Sequence, residues 1–349
     1  MKVAFLFNQK PEPNSDEASS SKISPDEFAE WDNPETIRAV SNALREHHEV
    51  VDIDCHPDKI KNVIDALHQF APDICFNIVE GAGAMSREAQ IPALLDLLGL
   101  PHTASDATTL AITHDKARTK EILAYHQIRT AAFQVIERID DQTDFTGILC
   151  TFPLIVKPLH EGSSKGIFER SVVETRSELI EQIQEVIHRY KQPAIVEEFL
   201  PGREFTVGVL GNGAQAEILP IVEIRFDALP KHSKGIYSFE AKWEWDTKDS
   251  PVEVFECPAK LSKDEEDDIR QQVLKAYRTL RCRDWARIDV RFDKNGKATI
   301  IEINPLPGIL PDPNEHSCLP LAARTAGLEY NALIQRVLSE ATRRYGLVE

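Results

Sequence analysis

The stretch RIDVRFDKNGKATIIEIN, residues 287–304, decides how this chain reads. Asn295-Gly296 sits between two runs that alternate apolar and polar side chains, which predicts a β-hairpin closed by a two-residue type I′ turn. With Asn295 and Gly296 as the turn, Lys294 lies opposite Lys297. Counting back, Asp289 falls opposite Glu302 and Arg287 opposite Asn304. The two-residue period puts all four on one face, while Ile288, Val290, Ile301 and Ile303 face a core. Two carboxylates opposite each other repel unless a cation lies between them. Mg²⁺ suits the pair, because it takes a few carboxylates together with phosphate oxygens. Asn304 adds a neutral oxygen ligand, and Arg287 a positive charge for a reacting oxyanion. A solvated polar face with a shifted register is the competing reading.

Working outward, PLIVKPLHEGSSKGI (153–167) is a strand ending at Lys157 and followed by a Gly/Ser loop. Gly162 and Gly166 permit close backbone approach to a phosphate. Ser163, Ser164 and the loop N–H groups can donate to its oxygens. No GxxxxGK[ST] motif occurs, so the loop is not of the Walker type, and a plain hairpin turn would look the same. Lys116, in THDKARTK, stands in the first turn of a predicted helix, where a cation opposes the helix dipole unless an anion is near. A solvated surface lysine is the alternative there, and also for Lys242 in the polar insert 227–250. That insert is long enough for a lid, and Trp243 and Trp245 argue against disorder. AIVEEFLPGREFTVGVL (194–210) reads as two strands hinged at Pro201-Gly202. It carries Glu197, Glu198 and Glu204; Glu197 and Glu204 could bond a sugar hydroxyl or an amino group, and ordinary exposed strand glutamates are the alternative.

The N-terminal hundred residues alternate strands (Val3–Phe7, Val50–Asp54, Ile74–Val79) with helices. One helix is announced by Asn33-Pro34 and another lies near Glu88–Leu98. This order predicts an open, mainly parallel α/β sheet. Three blocks follow: 1–104, 105–193 and 194–349. Further helices are expected near Asp115–His126, after Ser177 to about Tyr190, from Ser262 behind a capping box with Glu265, and near Tyr330–Tyr345. Residues 9–27 read as a long loop.

Composition bounds the function. The 349 residues are 42% hydrophobic and 28% charged, with a net charge of −17, which argues against a nucleic-acid partner. No apolar run approaches the roughly 18 residues that a membrane span needs. The short run VAFLF reads as a first strand rather than a signal peptide. The six cysteines are scattered without a CxxC pair, which predicts neither zinc nor disulfides and suits a reducing cytoplasm.

In this order the segments LLDLLGLPHTAS, THDKARTK, FPLIVKPLHEGSSKGI, IVEEFLPGREFTVGVL, YSFEAKW, WARIDVRF, IIEINPLPG and SCLPLAAR resemble the D-alanine–D-alanine ligase family of the ATP-grasp superfamily over roughly residues 70–340. The resemblance implies three-domain ATP-grasp architecture, with ATP and two Mg²⁺ ions, Mn²⁺ being the alternative metal. It implies that Lys116 and Lys157 contact phosphates and that Glu161 to Gly166 (Gly162, Ser163 and Ser164 among them) cover them. Glu197, Glu198, Phe199 and Leu200 would frame the adenine, and Glu204 would bind the ribose. Lys242 would reach the γ-phosphate, and Asp289, Glu302 and Asn304 would hold metal. Arg287 and the Gly308 backbone would stabilise a tetrahedral oxyanion, and Ser317 would bind the second substrate's carboxylate. The implied reaction joins a carboxylate to an amine through an acylphosphate, with small amino-acid-like substrates. The family is usually dimeric through its first domain, so a homodimer is one expectation.

The substrate end departs from the family pattern. The opening FLFNQKPEPN lacks the usual Gly-Gly loop. No glutamate aligns securely with the one that holds the first ammonium, although Glu30 lies near the place, beside Trp31 and Asp32. Ser163 keeps the family's serine, but Trp243 replaces its tyrosine partner and cannot supply a hydroxyl. Glu80-Gly81 replaces His-Gly, and ILPDPNEHS (309–317) is longer than expected. D-alanine–D-alanine ligation and ligation of a different pair both remain readings of this end, and a nucleotide-binding protein without catalysis is a third.

Overall fold

The computed structural model describes residues 1–11, 28, 30–83, 85–139, 151–230, 233–238, 241, 254–315 and 317–347. Lys242 and Trp243, and with them most of the expected lid, lie outside the described residues, as does most of the 9–27 segment.

The chain opens with β1 (Lys2–Phe7), α1 (Pro34–Arg45), β2 (Glu49–Asp54), α2 (Ile60–Phe70), β3 (Ile74–Asn77) and α3 (Gln90–Leu98). Its three strands form a parallel sheet in the order β2-β1-β3. The apolar run of β1 follows from burial on both faces. Val3, Phe5 and Phe7 pack with Ile37, Val40 and Leu44 of α1. Ala4 and Leu6 pack with Val63 and Leu67 of α2 and Leu95 of α3. Asn33 caps α1 by accepting from Thr36 N at 2.7 Å, with Pro34 at the first helical position, as the sequence predicts.

Next come α4 (Ala107–His114), α5 (Lys116–Tyr125), β4 (Phe133–Ile136), β5 (Leu154–Pro158), β6 (Val172–Val173), α6 (Arg176–Tyr190) and β7 (Ala194–Glu198). The strands form an antiparallel sheet, β4-β7-β5-β6, with α6 packed on one face. Helix α6 begins at Arg176, ahead of the expected start, because Thr175 rather than Ser177 supplies the cap and closes a capping box with Glu178.

The third sheet contains β8 (Glu204–Leu210), β9 (Glu217–Ile218), β10 (Val222–Ile224), β11 (Phe255–Glu256), β12 (Trp285–Phe292) and β13 (Ala298–Asn304), in the order β11-β10-β8-β12-β13 with β9 on β8. Strands β7 and β8 therefore belong to different sheets, and Pro201-Gly202 is the corner between them. Helix α7 (Lys263–Thr279) covers the sheet's apolar face with Ile269, Val273, Ala276 and Tyr277 against Ile288, Val290 and Ile300. The other face is left to Arg287, Asp289 and Arg291. Helices α8 (Cys318–Thr325) and α9 (Tyr330–Tyr345) complete the chain, and Leu333, Ile334 and Val337 of α9 return to the core under β1.

The hairpin corrects the sequence reading in one respect. Asp293, not Lys294, lies opposite Lys297, so the turn has three residues: Asp293 N donates to Lys297 O at 3.0 Å and Gly296 has φ +72°. The Asp293 carboxylate makes the larger turn favourable by accepting from the N–H groups of Asn295 and Lys297, both at 2.8 Å. This shifts the pairing by one residue, with Phe292 opposite Ala298 and Val290 opposite Ile300. A bulge then absorbs Ile301 and restores Asp289 opposite Glu302 and Arg287 opposite Asn304. Ile301 therefore lines the cavity described below instead of the core.

The C-terminal helix is fastened by a buried ion pair. Asp284, fully buried and at φ +64°, accepts from Arg344 Nη2 at 2.7 Å and from Asn212 Nδ2 at 2.9 Å. Asp284→Ala is expected to destabilise the protein by about 3 kcal/mol, because it strands a largely buried guanidinium. Chemical denaturation monitored by circular dichroism measures the change.

Candidate active site

A cavity of about 410 Å³ lies between the second and third sheets and reaches the first. Its wall includes Arg287, Asp289, Glu302, Asn304, Gly308 and Ser317 from the C-terminal elements. Lys116, Lys157, Glu161 to Ser164, Glu197 to Leu200, Glu204 and Glu80 complete the part of the predicted set that lies among the described residues, but for one. Gly166 is the exception. Its φ is +74°, and a Cβ there would stand 2.4 Å from Pro158 Cγ, so this glycine lets the loop pack on β5 instead of facing the cavity.

At the hairpin, Arg287 donates to Asp289 from Nε and Nη2 at 3.1 and 3.0 Å. Thr206 Oγ1 and Asn304 Nδ2 also donate to Asp289, at 2.7 and 3.2 Å. Across the strand pair, Lys116 Nζ lies 2.8 Å from Glu302 Oε1 and donates to the backbone oxygen of Glu161. Burial works to raise the Glu302 pKa, yet Lys116, Lys157 and Arg287 hold it below the ordinary value. The two facing carboxylates thus each hold a cationic side chain. That donor set fits a divalent cation: two carboxylate strand neighbours, a side-chain amide, and exchangeable positive partners. Among the described residues, no group of three or more His, Cys, Asp or Glu is placed to hold a metal ion.

Lys116 takes its place from α5, whose N-cap Asp115 accepts from Ala117 N and Arg118 N, both at 3.0 Å. Lys157, on β5, lies 2.9 Å from Glu197 Oε2 on the neighbouring β7. Burial tends to raise the Glu197 pKa, but Lys120 and Lys157 bring it down to about 2. The loop between β5 and β6 is drawn over the cavity. Ser163 and Ser164 both have positive φ, 50° and 60°, a conformation that side chains rarely adopt and that surrounding structure must enforce. Ser164 Oγ donates to Tyr237 O at 3.0 Å, which ties the loop to a described part of the expected lid.

Several residues at or beside the cavity escaped the sequence reading. Arg291 pairs with Glu204 at 3.0 Å and stacks over Phe199 and Phe226 at 4.8 and 5.0 Å. The alternation that placed Arg287 and Asp289 on one face already points to Arg291, and Thr206 stands directly opposite Asp289. Arg87 had no such signal. It joins Glu30 in a short ion pair and contacts His114 Nε2 at 2.5 Å and His160 O at 3.0 Å. Glu30 is therefore engaged by an arginine. Glu80, on the cavity wall, makes no hydrogen bond with the described residues. Burial, then Glu88, Glu30 and Asp32, push its pKa well above the ordinary value despite Arg87. The backbone of the next residue is clamped: Gly81 N donates to Asn8 Oδ1 at 2.8 Å, and Trp31 Nε1 donates to Gly81 O at 2.9 Å. At the other end, Ser317 Oγ donates to Gly308 O at 3.0 Å and accepts from Leu310 N at 3.2 Å, joining the loop after β13 to the start of α8.

Two sheets close on a cavity with buried lysines, a serine–glycine loop and a facing carboxylate pair, the arrangement that the ATP-grasp resemblance implies. Comparison with known proteins takes this further. A family profile described as "D-ala D-ala ligase C-terminus" matches residues 122–339. The chain is 30% identical over 309 residues to a D-alanine–D-alanine ligase of Halalkalibacterium halodurans, covering 88% of this chain and 93% of that one. It is 32% identical over 324 residues to the uncharacterized protein y4sG of Sinorhizobium fredii, covering 90% of each. The fold matches that of a D-alanine–D-alanine ligase from Bacillus anthracis complexed with ATP, at a TM-score of 0.70 and 21% identity over 99% of both chains. The chain belongs to the D-alanine–D-alanine ligase family, and it is an ATP-dependent ligase that forms amide bonds. Among the described residues, no helix is long and apolar enough to cross a membrane.

Proposed function

We propose that this enzyme activates the carboxylate of one amino-acid-like substrate as an acylphosphate and passes the acyl group to the amine of a second. The observation that carries this reading is the placement of Arg287, Asp289, Glu302 and Asn304 in one cavity with Lys116 and Lys157. Nucleotide binding alone requires no such set. In our reading Lys116 and Lys157 turn from their carboxylates to ATP phosphates, Glu197 to Leu200 frame the base, Glu204 takes the ribose, and Glu161 to Ser164 cover the phosphates. Asp289, Glu302 and Asn304 hold Mg²⁺, two ions being the proposed number and Mn²⁺ a substitute. The metal supplies positive charge to the transferring phosphoryl group. Arg287 and the Gly308 N–H stabilise the oxyanion formed when the amine attacks. Lys242 and Trp243 are proposed as the γ-phosphate lysine and a substrate contact of the lid. Ser317, at the start of α8, is proposed to receive the second substrate's carboxylate.

The relative's name suggests D-alanine for both substrates. The wall formed by Glu30, Asp32, Glu80 and Glu88 suits an ammonium group. Because Glu30 is already held by Arg87, Glu80 is our candidate to receive it, and this favours a pair other than two D-alanines. Glu80→Gln is expected to raise the KM for the first substrate about tenfold while leaving the KM for ATP within about twofold, the scale of one charge-assisted hydrogen bond. Steady-state kinetics on each substrate separates the two constants. Hydroxylamine in place of the amine acceptor should trap the acyl group as a hydroxamate. ADP formation without hydroxamate would contradict the acylphosphate.

We further propose the three units 1–104, 105–193 and 194–349, a cytoplasmic location, and a homodimer formed through the first unit. Exposed Leu97 and Leu98 on α3, with Met85 before it, support that face. Analytical ultracentrifugation tests the assembly.

A further inference from the structure

Behind the cavity wall lies a third lysine. Lys120, one turn after Lys116 on α5, is 1% exposed and is not part of the cavity lining. Its Nζ donates to Thr130 Oγ1 at 3.0 Å and lies 3.2 Å from Glu197 Oε1, as an ion pair more than an aligned hydrogen bond. Lys157 holds the other oxygen of the same carboxylate at 2.9 Å. Glu197 is itself 2% exposed, so this is a buried Lys–Glu–Lys arrangement with one lysine facing the cavity and one facing away. Thr130 in turn donates to Ile300 O at 3.1 Å, which anchors Lys120 against the third sheet.

The arrangement answers a difficulty raised by the proposed role of Lys157. A lysine that moves from a buried carboxylate to a phosphate leaves that carboxylate unpaired, which is strongly unfavourable in a dry site. Where Lys116 would move from Glu302, the carboxylates of Glu302 and Asp289 would hold a divalent cation as the incoming charge. Glu197 lies on β7 and not on the metal hairpin, and among the described residues the one further cation within ion-pair distance of it is Lys120. Lys120 is already in contact with it, and Thr130 holds Lys120 in place.

We infer that Lys120 is a positioning residue for the nucleotide: it keeps Glu197 paired, so that Lys157 is free to bind a phosphate. Without Lys120, Lys157 is the one cation among the described residues left within ion-pair distance of Glu197, and the phosphate must compete for it. This inference rests on the reading of Lys157 as a phosphate lysine.

The test is calorimetric titration of the full chain with Mg²⁺ and a non-hydrolysable ATP analogue, AMP-PNP. Lys120→Met is expected to weaken binding about tenfold or more, and Lys120→Arg to restore it to within about threefold of the wild type. Lys120→Met/Glu197→Gln is expected to bind more tightly than Lys120→Met alone, because removing the stranded charge releases Lys157. A purely structural lysine would instead give losses that add or deepen. Should Lys120→Met fail to fold, Lys120→Gln and Lys120→Gln/Glu197→Gln carry the same comparison. Binding by the single variant within about twofold of the wild type, or no gain in the double variant, would overturn the inference while leaving the ligase reading intact. A wild-type chain that binds no AMP-PNP would overturn the ATP-site reading and the inference with it.

Discussion

Asp289→Asn is expected to lower ADP formation at saturating ATP by about a thousandfold or more, roughly 4 kcal/mol of transition-state stabilisation, with a raised Mg²⁺ requirement. The reason lies in the hairpin. Asp289 and Glu302 face each other across β12 and β13, and the structure brings Arg287, Lys116, Thr206 and Asn304 to them. An amide at Asp289 removes half of the anionic charge that draws a divalent ion to this point. It still accepts a hydrogen bond from Thr206, so the fold should survive. Titration of activity with Mg²⁺ checks the assignment. An unaltered Mg²⁺ dependence would show that these carboxylates serve only to anchor Arg287 and Lys116.

Arg287→Met should give a different signature: a loss of about 10²–10³ in kcat, the scale of one oxyanion donor, with nucleotide binding and the Mg²⁺ requirement little changed. Arg287 spans Asp289 through two donors and faces the same cavity as Gly308, so its charge lies beside the proposed reacting carbon, not at the base. A raised KM for ATP at unchanged kcat would move Arg287 into nucleotide binding. Together the two variants separate metal-held phosphoryl transfer from stabilisation of the tetrahedral oxyanion.

The hairpin face was legible in the chain because strand periodicity is local, whereas the residues proposed for ATP were reached through the family resemblance. The pairing of Asp289 with Glu302 came out as read even though the turn did not, since the extra residue in the Asp293 turn and the bulge at Ile301 cancel. Neither had a decisive signal: an Asp-Lys-Asn-Gly sequence suits both turn lengths, and a bulge depends on what the neighbouring strand and cavity demand. Arg291 was available from the same alternation and was overlooked. The Arg87–Glu30 pair joins residues 57 apart and brings a short 3-10 turn before α3 against the segment before α1. No period or spacing announces such a contact. The same holds for Lys120, which in THDKARTK looks like any lysine one turn after Lys116, and which is identified only by the carboxylate beside it. The substrate end was hard to read for this reason: its side chains come from loops, whose positions are set by tertiary packing instead of by local pattern.

The most direct measurement is Mg²⁺-dependent phosphate release from ATP over D- and L-amino acids, singly and in pairs, with products identified by mass spectrometry. The account predicts release that depends on an amine acceptor and a product whose mass is that of the two substrates less one water. Phosphate release that is indifferent to every acceptor, with no amide formed, would contradict it.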